Sequence, residues 1–231
     1  MILGNICTRN CLYCNVKKGK PKPIDKREPK KIANAVKKLN LKYATITCVT
    51  RDDLEDGGAS QFVKVVREIR RLIKNCKIEL LISDLNGNFN ALKKIIECRP
   101  DVINHNIEIV EQLFSKIKPK GSYKLSLEIL KKVKELNPKI ITKSSFMIGF
   151  GENERQIIRT IRDLKKVKCD ILIISQYLQP SKKQIKVTKY YSLKDFEKFE
   201  KISKKIGFKF VYSHPLARSS YKAYKYYVQI S

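Results

Sequence analysis

The chain has 231 residues, 50 Lys+Arg against 22 Asp+Glu for a formal charge of +28, and a 42% hydrophobic fraction, which excludes disorder and suits one large core. No apolar run approaches the ~20 residues of a membrane-spanning helix, and no signal-peptide pattern opens the chain. The charge invites a nucleic-acid reading, but 39 of the cations are Lys, spread along the whole chain, whereas phosphate and base readers lean on the Arg fork.

In chain order, Met1-Ile2-Leu3-Gly4 reads as the end of a first strand, short of the usual ~5–6 residues. The Lys17–Lys22 stretch, with Gly19, Pro21 and Pro23, reads as an exposed loop. Helical periodicity over Lys30–Leu39 leads to a strand at Ala44–Val49, then a helix over Gln61–Lys74 and a strand at Ile78–Ile82. The pattern repeats with the helix Ala91–Glu97 and the strand Asp101–Asn106, then the helix Ser126–Leu136 and the strand Ile140–Ile148. It closes with the helix Glu154–Val167, the strand Ile171–Ser175, the helix Leu193–Ile206 and a last strand at Phe208–Tyr212. Asn137-Pro138 and Gly207 are plain helix stops. Strands alternating with helices mean βαβ units, a parallel sheet and right-handed crossovers. The expected fold is α/β, a partial (β/α)6 TIM-type barrel over 1–213 with a truncated first strand, followed by a tail over 214–231. The tyrosines of that tail (Tyr221, Tyr224, Tyr226, Tyr227) with Lys222 and Lys225 read as a solvated terminal strand or frayed end.

Parallel barrels carry their chemistry beyond the carboxyl ends of the strands, and polar segments recur at those positions. They are Thr50–Gly58, Ser83-Asp84, Asn104-His105-Asn106, Lys143-Ser144 with Gly149–Glu152, and Ser175–Ser181. Seven cysteines without a signal peptide argue for a reducing compartment. Cys48, Cys76, Cys98 and Cys169 are isolated in apolar surroundings and read as small buried hydrophobes. Cys7, Cys11 and Cys14 are different: a C-x3-C-x2-C run supplies three thiolates to a 4Fe–4S cubane and leaves the fourth iron open. Structural zinc would need a fourth ligand, and His105 and His214 are both distant.

With Tyr13 before the last cysteine, this run resembles the signature of radical S-adenosylmethionine enzymes, and Asp56-Gly57-Gly58 resembles their glycine segment that receives the cofactor's amino group. The likeness extends further. Met1–Gly4 with Cys7-Thr8-Arg9, Thr50–Leu54 with Asp56–Ala59, Asn104-His105-Asn106, Gln176–Ser181 and Pro215–Tyr221 together resemble lipoyl synthase over essentially the whole chain. The resemblance implies a 5′-deoxyadenosyl radical that removes hydrogens from C6 and C8 of an octanoyl chain on a carrier-protein lysine, with two sulfurs then inserted. It implies a radical cluster on Cys7, Cys11 and Cys14, and S-adenosylmethionine held by Tyr13, Asp56, Gly57, Gly58, Asn106 and Ser144. It also implies a second, sulfur-donating 4Fe–4S cluster, for which Ser220 is the ligand this chain supplies. The expected partners are an octanoylated lipoyl carrier domain or H-protein and an electron donor such as ferredoxin or flavodoxin, with no nucleic acid and no membrane. A cytoplasmic monomer is expected, or a protein of an organellar matrix if a leading segment is missing.

The family's other second-cluster ligands are three cysteines ahead of the first strand, and here Met1 stands inside that strand. Either translation starts upstream, or the sulfur-donor half has been lost; the stubby strand favours the former. Tyr123-Lys124-Leu125-Ser126-Leu127 lacks an expected Arg, and Ser145 and His214 stand where the family has Gly. Two other readings remain: a single-cluster radical enzyme without sulfur insertion, and a non-catalytic basic protein binding zinc or nucleic acid.

Overall fold

The computed structural model describes residues 1–230, which group into two compact units. The first comprises residues 1–9, 16–104 and 132–140; the second comprises 10–15, 105–131 and the chain from 141 on.

In the first unit, β3 (Tyr43–Thr47), β4 (Lys77–Leu81) and β5 (Val102–Asn104) run parallel, with Thr47 opposite Leu81 and Leu81 opposite Asn104. This register brings the carboxyl ends of the three strands level, so the loops that follow leave from one edge. Helices α1 (Glu28–Lys38), α2 (Ala59–Leu72) and α3 (Phe89–Glu97) alternate with the strands as expected. Pro29 opens the first turn of α1, where its missing amide costs nothing. Two details depart from expectation. Met1–Gly4 is not a strand end but a single parallel bridge, Ile2 to Cys48, because Leu3 and Gly4 turn left-handed at φ 70° and 91°. Lys17–Lys18 is not loop: as β2 it pairs in parallel with β1 (Ile6–Cys7), and the Gly19 amide donates to the Cys7 carbonyl at 3.1 Å.

In the second unit, β6 (Ile141–Ile148), β7 (Ile171–Gln176) and β8 (Phe210–Ser213) are parallel neighbours, and every residue of β7 is buried, as a strand covered on both faces must be. Helix α4 (Glu111–Ile117), which periodicity did not reveal, precedes α5 (Tyr123–Leu136), whose last residues enter the first unit. Helices α6 (Glu154–Lys166) and α7 (Leu193–Ile206) each start on a capping box, Asn153 with Gln156 and Ser192 with Asp195, and Gly207 ends α7 at φ 100°. Phe146, Ile148, Ile157, Ile161, Leu172, Ile174, Phe196 and Phe199 form the centre of this unit's core.

The tyrosine-rich tail is neither strand nor fray. Ala223–Val228 forms α8, and Tyr226 is buried with Ala217 against Ile171 and Ile173, its ring stacked on Phe210 at 5.0 Å. Burial of one aromatic face, worth roughly 1.5–3 kcal/mol, outweighs the solubility of Lys222 and Lys225. Among the described residues no helix is long and apolar enough to cross a membrane.

Candidate active site

In the first unit Cys7 lies in β1, and its sulfur accepts the Arg9 amide at 3.4 Å. Thr8 and Arg9 are tied to the loop after β3. Thr8 Oγ1 meets Asp52 Oδ2 at 3.1 Å and accepts the Asp52 amide at 3.0 Å. The Arg9 guanidinium is buried between two carboxylates, donating to Asp52 at 2.9 and 2.8 Å and to Asp84 at 2.5 and 2.6 Å. Burial alone would lower its affinity for the proton; the two carboxylates more than reverse that and push it far above the ordinary Arg value. Asp84 and Arg9 are 75 positions apart, so no local spacing announced the pair. The signals present were an Arg two residues past a cysteine and an Asp just beyond a strand.

Asp56, Gly57 and Gly58 form the turn into α2. The Asp56 carboxylate accepts the Gly58 amide at 2.9 Å and the Ser60 amide at 2.8 Å. Against the upward pull of burial, these bonds hold its carboxyl below the usual carboxylate range. Both glycines are left-handed, at φ 57° and 91°. A Cβ on Gly58 would stand 2.4 Å from Leu3 Cδ1, and one on Gly57 would stand 3.1 Å from Leu85 Cα. The segment is therefore glycine by conformation and close packing, and Asp56 already works as a helix cap.

In the second unit Cys11–Cys14 is a turn, with the Cys14 amide donating to the Cys11 carbonyl at 3.2 Å. The Leu12 amide donates to the Ile117 carbonyl at 2.9 Å, and the Leu12 carbonyl accepts the Ile185 amide at 3.1 Å. The Tyr13 ring meets Phe150 edge-on at 6.4 Å, and Phe150 stacks on Tyr177 at 4.2 Å. Burial pushes the Cys11 thiol up, while the hydrogen bond from the Tyr13 phenol and the charge of Lys118 pull it down. Burial also raises the Tyr13 phenol, reinforced by Glu108 and Cys11. Glu108, left-handed at φ 73°, has its carboxyl raised by burial, opposed by Lys118 and by a hydrogen bond from Asn106. Lys118 and Glu108 are not among the expected site residues; they lie 107 and 97 positions beyond Cys11, and only folding brings them to it.

Asn106 donates from Nδ2 to Ser219 Oγ at 3.4 Å, while its Oδ1 is buried with no hydrogen-bond partner among the described residues. Ser144 is fully buried, and its hydroxyl accepts the Ile107 amide at 3.1 Å. The buried Lys143 ammonium donates to the Ser219 carbonyl and lies 5.5 Å from the centre of the Tyr226 ring. Lys143 thus pins the loop on which Ser220 is exposed.

Cys7 belongs to the first unit, and Cys11 and Cys14 belong to the second. Among the described residues no three His, Cys, Asp or Glu side chains are gathered to hold a metal ion unaided. The donor chemistry nonetheless fits an iron–sulfur cluster and a polar cofactor: all three thiols are half-buried and outside disulfides. Asn106 adds an orphaned buried acceptor of the kind a ligand's hydroxyl or amine satisfies.

The Radical SAM superfamily model matches residues 1–164. Among solved structures, HydG, a maturase of the FeFe-hydrogenase, superposes with a TM-score of 0.72 at 14% identity, covering 98% of this chain and 53% of that one. Streptococcus suis SuiB bound to S-adenosylmethionine gives 0.70 at 11% identity, over 95% and 51%. The chain spans about half the length of those proteins, and at such identities the likeness establishes the fold. Family match, alternating parallel strands and structural neighbours define a radical S-adenosylmethionine enzyme of the α/β partial-barrel class. Lipoyl synthase of Aquifex aeolicus is 50% identical over 225 residues, 97% of this chain and 82% of that protein. That of Caldanaerobacter subterraneus subsp. tengcongensis is 49% identical over 223 residues, 96% and 78%. This chain belongs to the lipoyl synthase family of sulfur-inserting enzymes.

Proposed function

We propose that the chain inserts sulfur at C6 and C8 of an octanoyl chain carried on a protein lysine, giving lipoyl-lysine. In this reading Cys7, Cys11 and Cys14 ligate one 4Fe–4S cluster, and Tyr13, Gly57, Gly58, Asn106 and Ser144 surround S-adenosylmethionine. When bound, these groups supply a carbon-centred radical able to take hydrogen from an unactivated C–H bond.

The observation that carries the reading is the Arg9 clamp. A guanidinium buried between two carboxylates is a costly device for an ordinary loop, but it is what a ligand-bearing segment needs. It fixes residues 7–9, and the Arg9 amide donates to the Cys7 sulfur at 3.4 Å, which orients the thiol for ligation. Asp56 acts through its cap: it shapes the Gly57-Gly58 turn and leaves the backbone bare for a close ligand. Ser144 fixes the backbone at Ile107, and the open Oδ1 of Asn106 is the acceptor available to the cofactor. Stacked Phe150 and Tyr177 beneath Tyr13 keep water from that side of the Cys11–Cys14 turn. Ser220 stands on the pinned loop as the ligand offered to a second cluster. The partners that follow are an octanoylated carrier domain or H-protein and a reductant of the ferredoxin or flavodoxin type, met by a cytoplasmic monomer.

Anaerobic reconstitution with iron and sulfide tests this. The expected outcome is about four irons or more per chain, cleavage of S-adenosylmethionine to 5′-deoxyadenosine, and an octanoyl-lysine peptide gaining the mass of two sulfurs. A colourless, zinc-only protein overturns the cluster assignment. Cofactor cleavage with no sulfur gained overturns sulfur insertion and leaves a radical enzyme of another reaction.

A further inference from the structure

On the outer helices of the first unit, α2 and α3 enclose a groove of about 650 Å³. Its floor includes Val63, Val66 and Cys98; five cations line it, against the single carboxylate of Glu97. Arg70 is engaged by Asp101 and Arg71 by Glu68. Lys64 and Arg67 are exposed one helical turn apart, and neither has an acidic partner within ion-pair distance among the described residues. From Ser60 to Arg71 the groove runs along α2 for roughly 16 Å at 1.5 Å per residue. Its near end is the Ser60 turn, where Asp56 also holds Gly58.

An apolar floor between cationic walls fits a polypeptide face that carries carboxylates beside an apolar stripe. Nucleic acid is the poorer fit, because no aromatic ring lines the groove to stack a base. A second copy of this chain would bring like charge, at +28 each. We propose that this groove docks an acidic face of the carrier protein whose octanoyl-lysine is the substrate, an assignment that rests on the function proposed above. A lysine side chain with its octanoyl group extends roughly 15 Å from the carrier backbone, so the carrier's docking face and its acyl terminus are well separated and can contact different parts of the enzyme. Docking the body raises the effective concentration of the arm without any contact to the reacting carbons.

The test compares the reconstituted enzyme with its Lys64→Glu/Arg67→Glu variant, using dithionite as reductant so that no protein donor contributes. The expected result is a rise of about 10-fold or more in KM for the octanoylated carrier protein at low salt. That gap should shrink as salt screens it, while kcat and KM for a short octanoyl-lysine peptide stay unchanged. Direct titration of the carrier protein, followed by fluorescence anisotropy, should show the same loss of affinity and does not depend on turnover. An unchanged KM and affinity overturns the proposal, as does an equal loss in a Lys201→Glu/Lys205→Glu control on α7, which would reduce the effect to net charge. A variant that loses only retention of single-stranded nucleic acid overturns it too. If the unmodified enzyme fails on the short peptide, the proposed reaction is wrong, and the titration alone still decides the docking surface.

Discussion

Replacing Arg9 with Met removes a cation and leaves its volume nearly filled, so the energetic consequence is electrostatic. Four hydrogen bonds are lost, two to Asp52 and two to Asp84. The Asp84 side chain is 2% exposed and that of Asp52 25%. Asp84 therefore dominates: it keeps the Asn86 amide at 3.1 Å but loses the guanidinium that neutralises it. Breaking a buried ion pair from one side costs about 3–5 kcal/mol, and the partly exposed Asp52 adds less because solvent screens it. Arg9→Met should thus destabilise the iron-free chain by about 3–5 kcal/mol. Arg9→Met/Asp84→Asn should recover a large part of that, because the remaining partner no longer carries a buried charge. Urea unfolding of the three proteins, with hydrogen exchange over residues 1–9 and 50–53, measures both quantities. The Arg9 proton itself gives no pH signature. A cation whose affinity for the proton is raised on folding contributes stability that is complete below the unfolded Arg value and fades only above the folded one. Any pH dependence of the difference between the unmodified chain and Arg9→Met over pH 6 to 9, roughly a range in which no Arg titrates, therefore comes from the carboxylates left without their cation. A loss below about 1 kcal/mol, the scale of an exposed pair, or a double variant no more stable than the single one, refutes the clamp.

Three further outcomes follow from local geometry. Gly58→Ala combines a left-handed φ with a Cβ 2.4 Å from Leu3 Cδ1, and should cost about 2–4 kcal/mol from backbone strain plus overpacking; an unfolding midpoint unchanged from the native chain contradicts it. Burial pushes the thiols of Cys98 and Cys48 up to about 11 and about 12. Since the thiolate is the nucleophile, iodoacetamide should spare both at pH 8 and reach Cys98 first as the pH rises; peptide mass spectrometry that finds Cys98 modified at pH 8 as fast as an exposed thiol counts against this. Lys143→Met removes the donor to the Ser219 carbonyl and the cation beside Tyr226. Amide exchange over 217–222 should then accelerate by about 10-fold or more as that loop opens locally, and unchanged protection would show that Lys143 does not pin it.

Legibility in the sequence tracked how local each cause is. Helices α6 and α7 are readable because their apolar periodicity is local, and the structure adds capping boxes that also lie within four residues, Asn153 to Gln156 and Ser192 to Asp195. Helix α8 was not, because Lys222 at its start is left-handed at φ 56° and makes no side-chain cap. That helix exists through Tyr226 packing on β7 and β8, a tertiary cause that propensity does not register. The two-residue pair β1–β2 has no room for a period of two, so Lys17-Lys18 looked like the loop around it. The same rule divides the site. The spacing of Cys7, Cys11 and Cys14 and the Gly57-Gly58 pair are local patterns visible in the sequence as candidates; the contacts of Arg9 with Asp84, and of Cys11 with Lys118 and Glu108, join distant segments and are not.

One class of residue lies between these cases. Strands buried in a parallel sheet should be almost wholly apolar, yet Glu79, Asn104, Lys143 and Ser144 are all buried in β4, β5 and β6. Each is anchored: Glu79 accepts from the Tyr43 hydroxyl at 2.5 Å and from Asn104 Nδ2 at 2.9 Å, Ser144 accepts the Ile107 amide, and Lys143 donates to Ser219. Folding alone gains little from such groups, because apolar side chains of equal volume would stabilise the sheet as well or better. What they add is fixed polarity within each unit's buried interior, and in the second unit Asn106 Oδ1 is a buried acceptor without a partner among the described residues, where a polar group would bond more strongly than at the surface. These breaks in strand hydrophobicity, Glu79 and Asn104 in the first unit and Lys143 and Ser144 in the second, can be read in the sequence without any motif.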